Sequence, residues 1–230
     1  MSITLSKGEK VSLAKAASVS LAKSGGAPQT QGQAAAGAAV TAAVAAGAAE
    51  GMAAAAAQIH NVAMAIGWSA VEKSGFFGRF FGKEIDLDAS CIAVDKNGDV
   101  VDVVFYNKPS GCGDQIRHSG DDRTGEASGD NELIYVKLDT MPPDITQLFF
   151  VITSYEGQNF NDIKNAYCRL INYDTKTELI HYNISGSGSH TAMVMCKLIR
   201  EPGGWAMQAI GAHAMGTTPS SMFKEVLKYV

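Results

Sequence analysis

Residues 120–132 read GDDRTGEASGDNE and crowd Asp121, Asp122, Glu126, Asp130 and Glu132 into one short, glycine-punctuated run. Carboxylates this close repel one another unless a cation sits among them, and Arg123 offsets only one. Hard divalent cations prefer oxygen donors, and Ca2+ accepts about six to eight of them at flexible geometry. The chemistry suggested is therefore cation binding. The alternative is a solvated acidic turn, and composition alone leaves both open.

A second pair of acids lies upstream. Asp86 and Asp88 belong to IDLDAS, and in a strand residues i and i+2 share a face. Both carboxylates would then point the same way, as convergent ligands must. Alone they are an ordinary polar face; with the 120–132 run they supply a second wall, and two sets of acids have room for two ions. Other chemistry is not signalled. The chain has no GxSxG, HExxH, P-loop lysine or GxGxxG motif. GSGSH at 186–190 lacks that lysine and reads as a surface turn. DKNGD at 95–99 resembles an EF-hand start, but its glycine falls too early and Tyr106 stands where the bidentate glutamate belongs. Cys91, Cys112, Cys168 and Cys196 are scattered without metal spacing and read as buried or free thiols of a reducing compartment. The five histidines are far apart and read as surface or core residues.

The elements that must hold these acids are strands. The 230 residues are 46% hydrophobic and carry a net charge of −4. No basic stripe is present, which argues against nucleic-acid binding. The N-terminal run lacks the apolar core of a signal peptide. Strands are expected over 3–15, 61–68, 85–94, 100–106, 133–141 and 145–155, then in hairpins over 168–184 and 190–214. Asn97-Gly98 predicts a type I′ hairpin turn. Thr218 and Pro219 read as N-cap and first residue of a terminal helix, with Met222, Phe223, Val226 and Leu227 on its apolar face. Residues 25–57 shift to Ala, Gly, Gln and Thr, with Glu50 the only charge. Alanine favours helix, and residues 34–58 would form one of about 37 Å. It reads as a low-complexity insert, with self-association or membrane spanning as competing roles. GFFGRFFG at 75–82 holds four phenylalanines around Arg79 and is expected to pack internally. The expected fold is all-β: a two-sheet β-sandwich with a C-terminal helix and an Ala-rich helical insert. Its parts are residues 1–24, the insert 25–58, and 59–230.

The opening SITLSKGEKVSLAK, IGW at 66–68, IDLDAS, VFYN at 104–107, GDDRTGEASGDNE, GQNF at 157–160, NAY at 165–167, TAMV at 191–194 and GGW at 203–205 together resemble the TerD family of bacterial tellurium-resistance and general stress proteins. The resemblance covers 1–23 and 59–230. It implies a β-sandwich binding two Ca2+ ions in acidic loops at one end, without enzymatic activity. The matching positions are Asp86, Asp88, Asp121, Asp122, Glu126, Asp130 and Glu132, with Thr124 and Gly125 as carbonyl donors. It also implies a cytoplasmic protein, peripheral at the inner membrane face, working with protein partners that include an integral-membrane tellurium-resistance component. Three departures stand out. Asp122 replaces a usual Asn, Asn131 replaces a usual acid, and the loop before GQNF is short. Glu156 and Asn159 are the residues left there to serve a second ion.

The leading expectation is a calcium-stabilised, non-enzymatic interaction module with no catalytic residues. The alternative is a self-associating scaffold, a homo-oligomer built through the Ala-rich helix and the FFGRFFG loop. A metal-dependent hydrolase ranks third.

Overall fold

The computed structural model describes residues 10–12, 59–69, 85–123, 129–163 and 165–230. Within them the chain forms two six-stranded sheets whose strand pairings are all antiparallel. The strands in chain order are β1 (Lys10–Ser12), β2 (Asn61–Gly67), β3 (Leu87–Asp95), β4 (Val100–Val104), β5 (Ser110–Gly111) and β6 (Ile116–His118). They continue with β7 (Glu132–Lys137), β8 (Ile145–Ser154), β9 (Tyr167–Asn172), β10 (Thr177–Asn183), β11 (Ala192–Glu201) and β12 (Gly204–Ala214). The first sheet runs β1-β12-β11-β8-β3-β4 and the second β10-β9-β2-β7-β6-β5. The acidic segments thus belong to different sheets: Asp88 lies on β3, and the 120–132 run joins β6 to β7.

Period-2 alternation explains the layers. On β3, Leu87, Ala89, Cys91 and Ala93 join the main core, whereas Ile92 and Val94 join a smaller one. The main core is filled from both sheets by residues such as Met64, Ile66, Leu148, Phe150, Leu170 and Leu198. The smaller core lies on the other face of the first sheet, where Phe149, Val151 and Val194 meet Met222 and Val226 of the C-terminal segment. At about 25 cal/mol per Å2 of apolar area, burying one such side chain stabilises by about 1.5–3 kcal/mol. This burial explains the long apolar runs of β3 and β8, which are covered on both faces.

The C-terminal segment begins as expected. Thr218 caps it in a reciprocal box with Ser221, and Pro219 follows. It is short and mixed: a 3-10 turn (Pro219–Met222), α1 (Phe223–Val226) and a second 3-10 turn (Leu227–Tyr229). Met222 and Val226 are buried, but Leu227 is exposed, because the tighter second turn rotates it off the sheet.

The β3–β4 turn differs from the type I′ expectation. Only Gly98 has positive φ, and the Gly98 N–H donates to the Asp95 carbonyl at 3.2 Å. A type I turn followed by a left-handed glycine is a three-residue hairpin loop. Asp95 selects it by accepting the Asn97 and Asp99 N–H groups at 2.8 and 2.9 Å. These bonds also lower its pKa, that from Asp99 most. Strands β5 and β6 were not expected, since KPSGCGDQ lacks apolar alternation. Asp102 organises that stretch by accepting from the Cys112 N–H at 2.6 Å and from Lys108.

The expected helix over 34–58, the FFGRFFG loop and most of the N-terminal strand fall outside the described residues. Among the described residues, no helix is long and apolar enough to cross a membrane.

Candidate metal centre

Asp86 and Asp88 alternate with the core residues Leu87 and Ala89, so both point to the face of β3 away from the main core. Both are buried, at 6% and 2% exposure. Asp121 enters from the loop after β6, and one oxygen from each of the three carboxylates lies within 4.8 Å of the others. Oxygens about 2.4 Å from a shared Ca2+ stand at most about 4.8 Å apart, so the trio fits one coordination sphere. The acids line a cavity of about 210 Å3 with Arg123, Tyr106 and Tyr155.

The backbone fixes these positions. The Tyr155 N–H donates to the Asp86 carbonyl at 3.0 Å, which extends the β3–β8 ladder to the rim. The Trp68 indole N–H donates to the Ile85 carbonyl at 3.0 Å beneath it. Tyr106 and Tyr155 meet edge to face, with centroids 6.1 Å apart.

Among the described residues, the negative charge at the site outweighs the positive charge of Arg123. Burial, then Asp121, then Glu132 push the Asp86 carboxyl up to about 6, while Arg123 acts in the opposite direction. Burial, then Glu132, then Asp86 push Asp88 up to about 8. Tyr106 is raised to about 12 by burial and by Asp88. Among the described residues, four buried side-chain oxygens lack a hydrogen-bond partner, and three of them, Asp86 Oδ1, Ser90 Oγ and Thr153 Oγ1, belong to this face; the fourth is the Tyr182 hydroxyl. Ser90 shares the Asp86/Asp88 face by alternation, and Thr153 shares it as the register partner of Asp88. Buried polar atoms are nearly always satisfied, so such a group marks a place for water or an ion. The donor set therefore fits a hard cation. Ser90, Thr153, Tyr106 and Tyr155 were not singled out in the sequence. Ser90 in the DLDAS run, at i+2 from Asp88, carried the one available signal.

The other expected residues are distributed differently. Asp122 is half-buried and accepts from the Asn131 amide at 2.9 Å. Asn131 also accepts the Trp68 N–H at 2.8 Å, a pair of roles that an acid could not combine. Asp130 is held by Arg169, which donates to its two oxygens at 3.0 and 2.7 Å, and by the Tyr167 hydroxyl at 3.0 Å. Glu132 is fully buried and accepts backbone N–H groups from Ala89 and Asp122. Glu156 is exposed beside Tyr155 and adds to the field at Asp86. Asn159 lies in the following loop, outside the cavity lining. Thr124, Gly125 and Glu126 fall outside the described residues.

All four cysteines are buried free thiols. Burial is the largest influence on each and raises its pKa, with Cys112 reaching about 12.

A two-sheet antiparallel sandwich with a carboxylate cluster on the rim of β3 defines a β-sandwich protein with a candidate cation site. The family model described as the TerD domain matches residues 41–218, and the chain belongs to the TerD family. That match includes the end of the Ala-rich stretch and leaves out the first forty residues. The chain is 38% identical over 177 residues to the tellurium resistance protein TerZ of Serratia marcescens, covering 76% of this chain and 89% of that protein. It is 34% identical over 166 residues to general stress protein 16U of Bacillus subtilis, covering 69% and 83%. The crystal structure of a homologue of telluride resistance protein from Streptomyces coelicolor superposes with a TM-score of 0.63 at 18% identity. It covers 74% of this chain and 98% of that one, and shows the shared fold.

Proposed function

We propose that this chain is a calcium-binding, non-enzymatic protein of the tellurium-resistance and stress-response type, acting as an interaction module whose acidic rim is ordered by the ion. The observation that carries the reading is the convergence of Asp86, Asp88 and Asp121, with Asp86 Oδ1 buried and without a hydrogen-bond partner. A bound divalent cation would supply the positive charge that these acids lack. Asp86, Asp88 and Asp121 would hold it, with Ser90 and Thr153 nearby. Ligands from β3 and from the β6–β7 loop would then be tied together, stiffening the surface offered to a partner. Glu156 and Asn159 are the candidates for a second ion. The proposed setting is cytoplasmic and peripheral at the inner membrane face, against an integral-membrane tellurium-resistance component. The relatives' names, which speak of resistance and stress, support the biological half of the reading.

An ion that binds only the folded state stabilises it by about 2.7 kcal/mol at a hundred times its Kd. At about 2–4 °C per kcal/mol for a domain of this size, melting should rise by roughly 5–11 °C in saturating Ca2+ over EDTA. Asp121→Ala should abolish most of that rise. Absence of a calcium-dependent shift in both melting and titration calorimetry would refute the proposal.

A further inference from the structure

Glu132 was expected among the ligands, yet its oxygens are engaged elsewhere and it stands outside the converging trio. It is the first residue of β7, in the second sheet, and its side chain is fully buried. Oε2 accepts the Ala89 N–H at 2.9 Å, and Oε1 accepts the Asp122 N–H at 3.3 Å. Strand β4 pairs with β3 no further than Cys91, so the Ala89 N–H lies beyond the reach of that ladder. His118, at the end of β6, brings Nε2 to 3.3 Å from Oε2. The Gly120 N–H donates to His118 Nδ1 at 3.1 Å, which leaves the ring hydrogen on Nε2, close to the carboxylate but without a hydrogen-bond partner among the described residues.

Each group that meets Glu132 is close in sequence to a wall of the site. Ala89 follows Asp88, Asp122 follows Asp121, and His118 ends the strand from which the Asp121 loop departs. We propose that Glu132, held by the Ala89 and Asp122 N–H groups and flanked by His118, is a positioning residue that fixes the spacing between the two acidic walls, Asp86 and Asp88 at the start of β3 and Asp121 on the β6–β7 loop. The inference rests on the cation-binding reading and deepens it. A buried carboxylate persists only where donors surround it, and here the donors are the backbones of both walls. Gln would keep one acceptor oxygen but turn an NH2 group toward one of the two N–H donors. It cannot satisfy both, so one wall should come loose while the three ligand carboxylates remain.

The test combines titration calorimetry with Ca2+ and amide NMR in EDTA, on the full chain. In the wild type, the Ala89 and Asp122 amide protons should resonate downfield, and His118 should show the Nε2–H tautomer. Glu132→Gln should shift at least one of those amides upfield and weaken Ca2+ binding by about 10–100-fold, the usual cost of removing a group that orients metal ligands. His118→Gln, which leaves both backbone bonds to Glu132 intact, should weaken binding less. Ca2+ binding by Glu132→Gln at wild-type affinity would overturn the inference, as would wild-type amides at ordinary shifts or the opposite tautomer. If Glu132→Gln fails to fold, the wild-type NMR signatures and His118→Gln still decide. Failure of the wild type to bind Ca2+ would instead refute the cation reading, and the metal-free NMR would judge the clamp on its own.

Discussion

Asp88→Asn should stabilise the metal-free protein at alkaline pH while removing its response to calcium. The Asp88 carboxyl is pushed up to about 8 by burial and by Glu132, from 3.8. Between those values the native state holds a proton that the unfolded chain has released. Metal-free stability therefore falls as pH rises through this window, and the full penalty is felt above about pH 8. One unit corresponds to about 1.4 kcal/mol, which sets an upper bound of roughly 6 kcal/mol. Water entry, local relaxation and proton sharing with Asp86 reduce it, and about 2–3 kcal/mol is expected. Asn has the same shape and no charge to bury. In EDTA at pH 8.5 the variant should melt about 4–12 °C above wild type, and at pH 4.5 the two should nearly coincide. In excess Ca2+ the order should reverse, because wild type gains the ion and the variant does not. The assay is thermal denaturation at both pH values, with and without calcium. A variant less stable than wild type in EDTA at pH 8.5, or one keeping the full calcium shift, would refute the reasoning.

The same raised carboxyls make calcium compete with protons. Affinity should rise between pH 6 and pH 8, by up to about tenfold per unit for each proton displaced, and calorimetry in buffers of different ionisation enthalpy should register the release. Asp130→Asn should cost about 1–3 kcal/mol in denaturant unfolding by weakening the hold on Arg169, with calcium affinity changed little. Gly67→Ala should destabilise by about 1–3 kcal/mol, read from the denaturant midpoint, because its Cβ would sit 2.5 Å from the Tyr167 ring and 2.7 Å from the Gly129 carbonyl oxygen.

What could be read from the sequence was whatever local periodicity determines. The alternation in IDLDAS placed Asp86 and Asp88 on one face, and the Thr218-Pro219 pair marked the start of the C-terminal segment. Partnerships between distant segments were invisible. Nothing in GDNE separates Asp130, which is committed to Arg169 across the strands, from Glu132, which joins the sheets. Charge density suggested five ligands; topology distributes the described ones among the candidate cation cluster, ion pairing and backbone support. The departures at Asp122 and Asn131 looked like an added charge and a lost one. In the fold they are a bonded pair, with the Asn131 amide donating to Asp122. The turn at 95–98 was misread because Asn-Gly is a pairwise signal, whereas the Asp95 side chain, two residues upstream of Asn97, selected the conformation.

The electrostatics also constrain how a protein of this family can act against tellurium. Tellurite is an oxyanion, and the rim formed by Asp86, Asp88, Asp121 and Glu156 repels anions unless a cation intervenes. Reduction by thiol would need a thiolate, since that is the nucleophilic form. Here Cys91, Cys112, Cys168 and Cys196 are buried, with their pKa values pushed up by that burial. Neither the acids nor the thiols are arranged to meet the oxyanion directly. This agrees with the recognition role proposed above, in which the acidic rim, ordered by an ion, would be the surface another molecule reads. Resistance would then depend on occupancy of the cation site rather than on chemistry at tellurium. Asp88→Asn should therefore abolish partner binding and resistance together, whereas replacing all four cysteines by Ser or Ala should spare resistance in any variant that still folds.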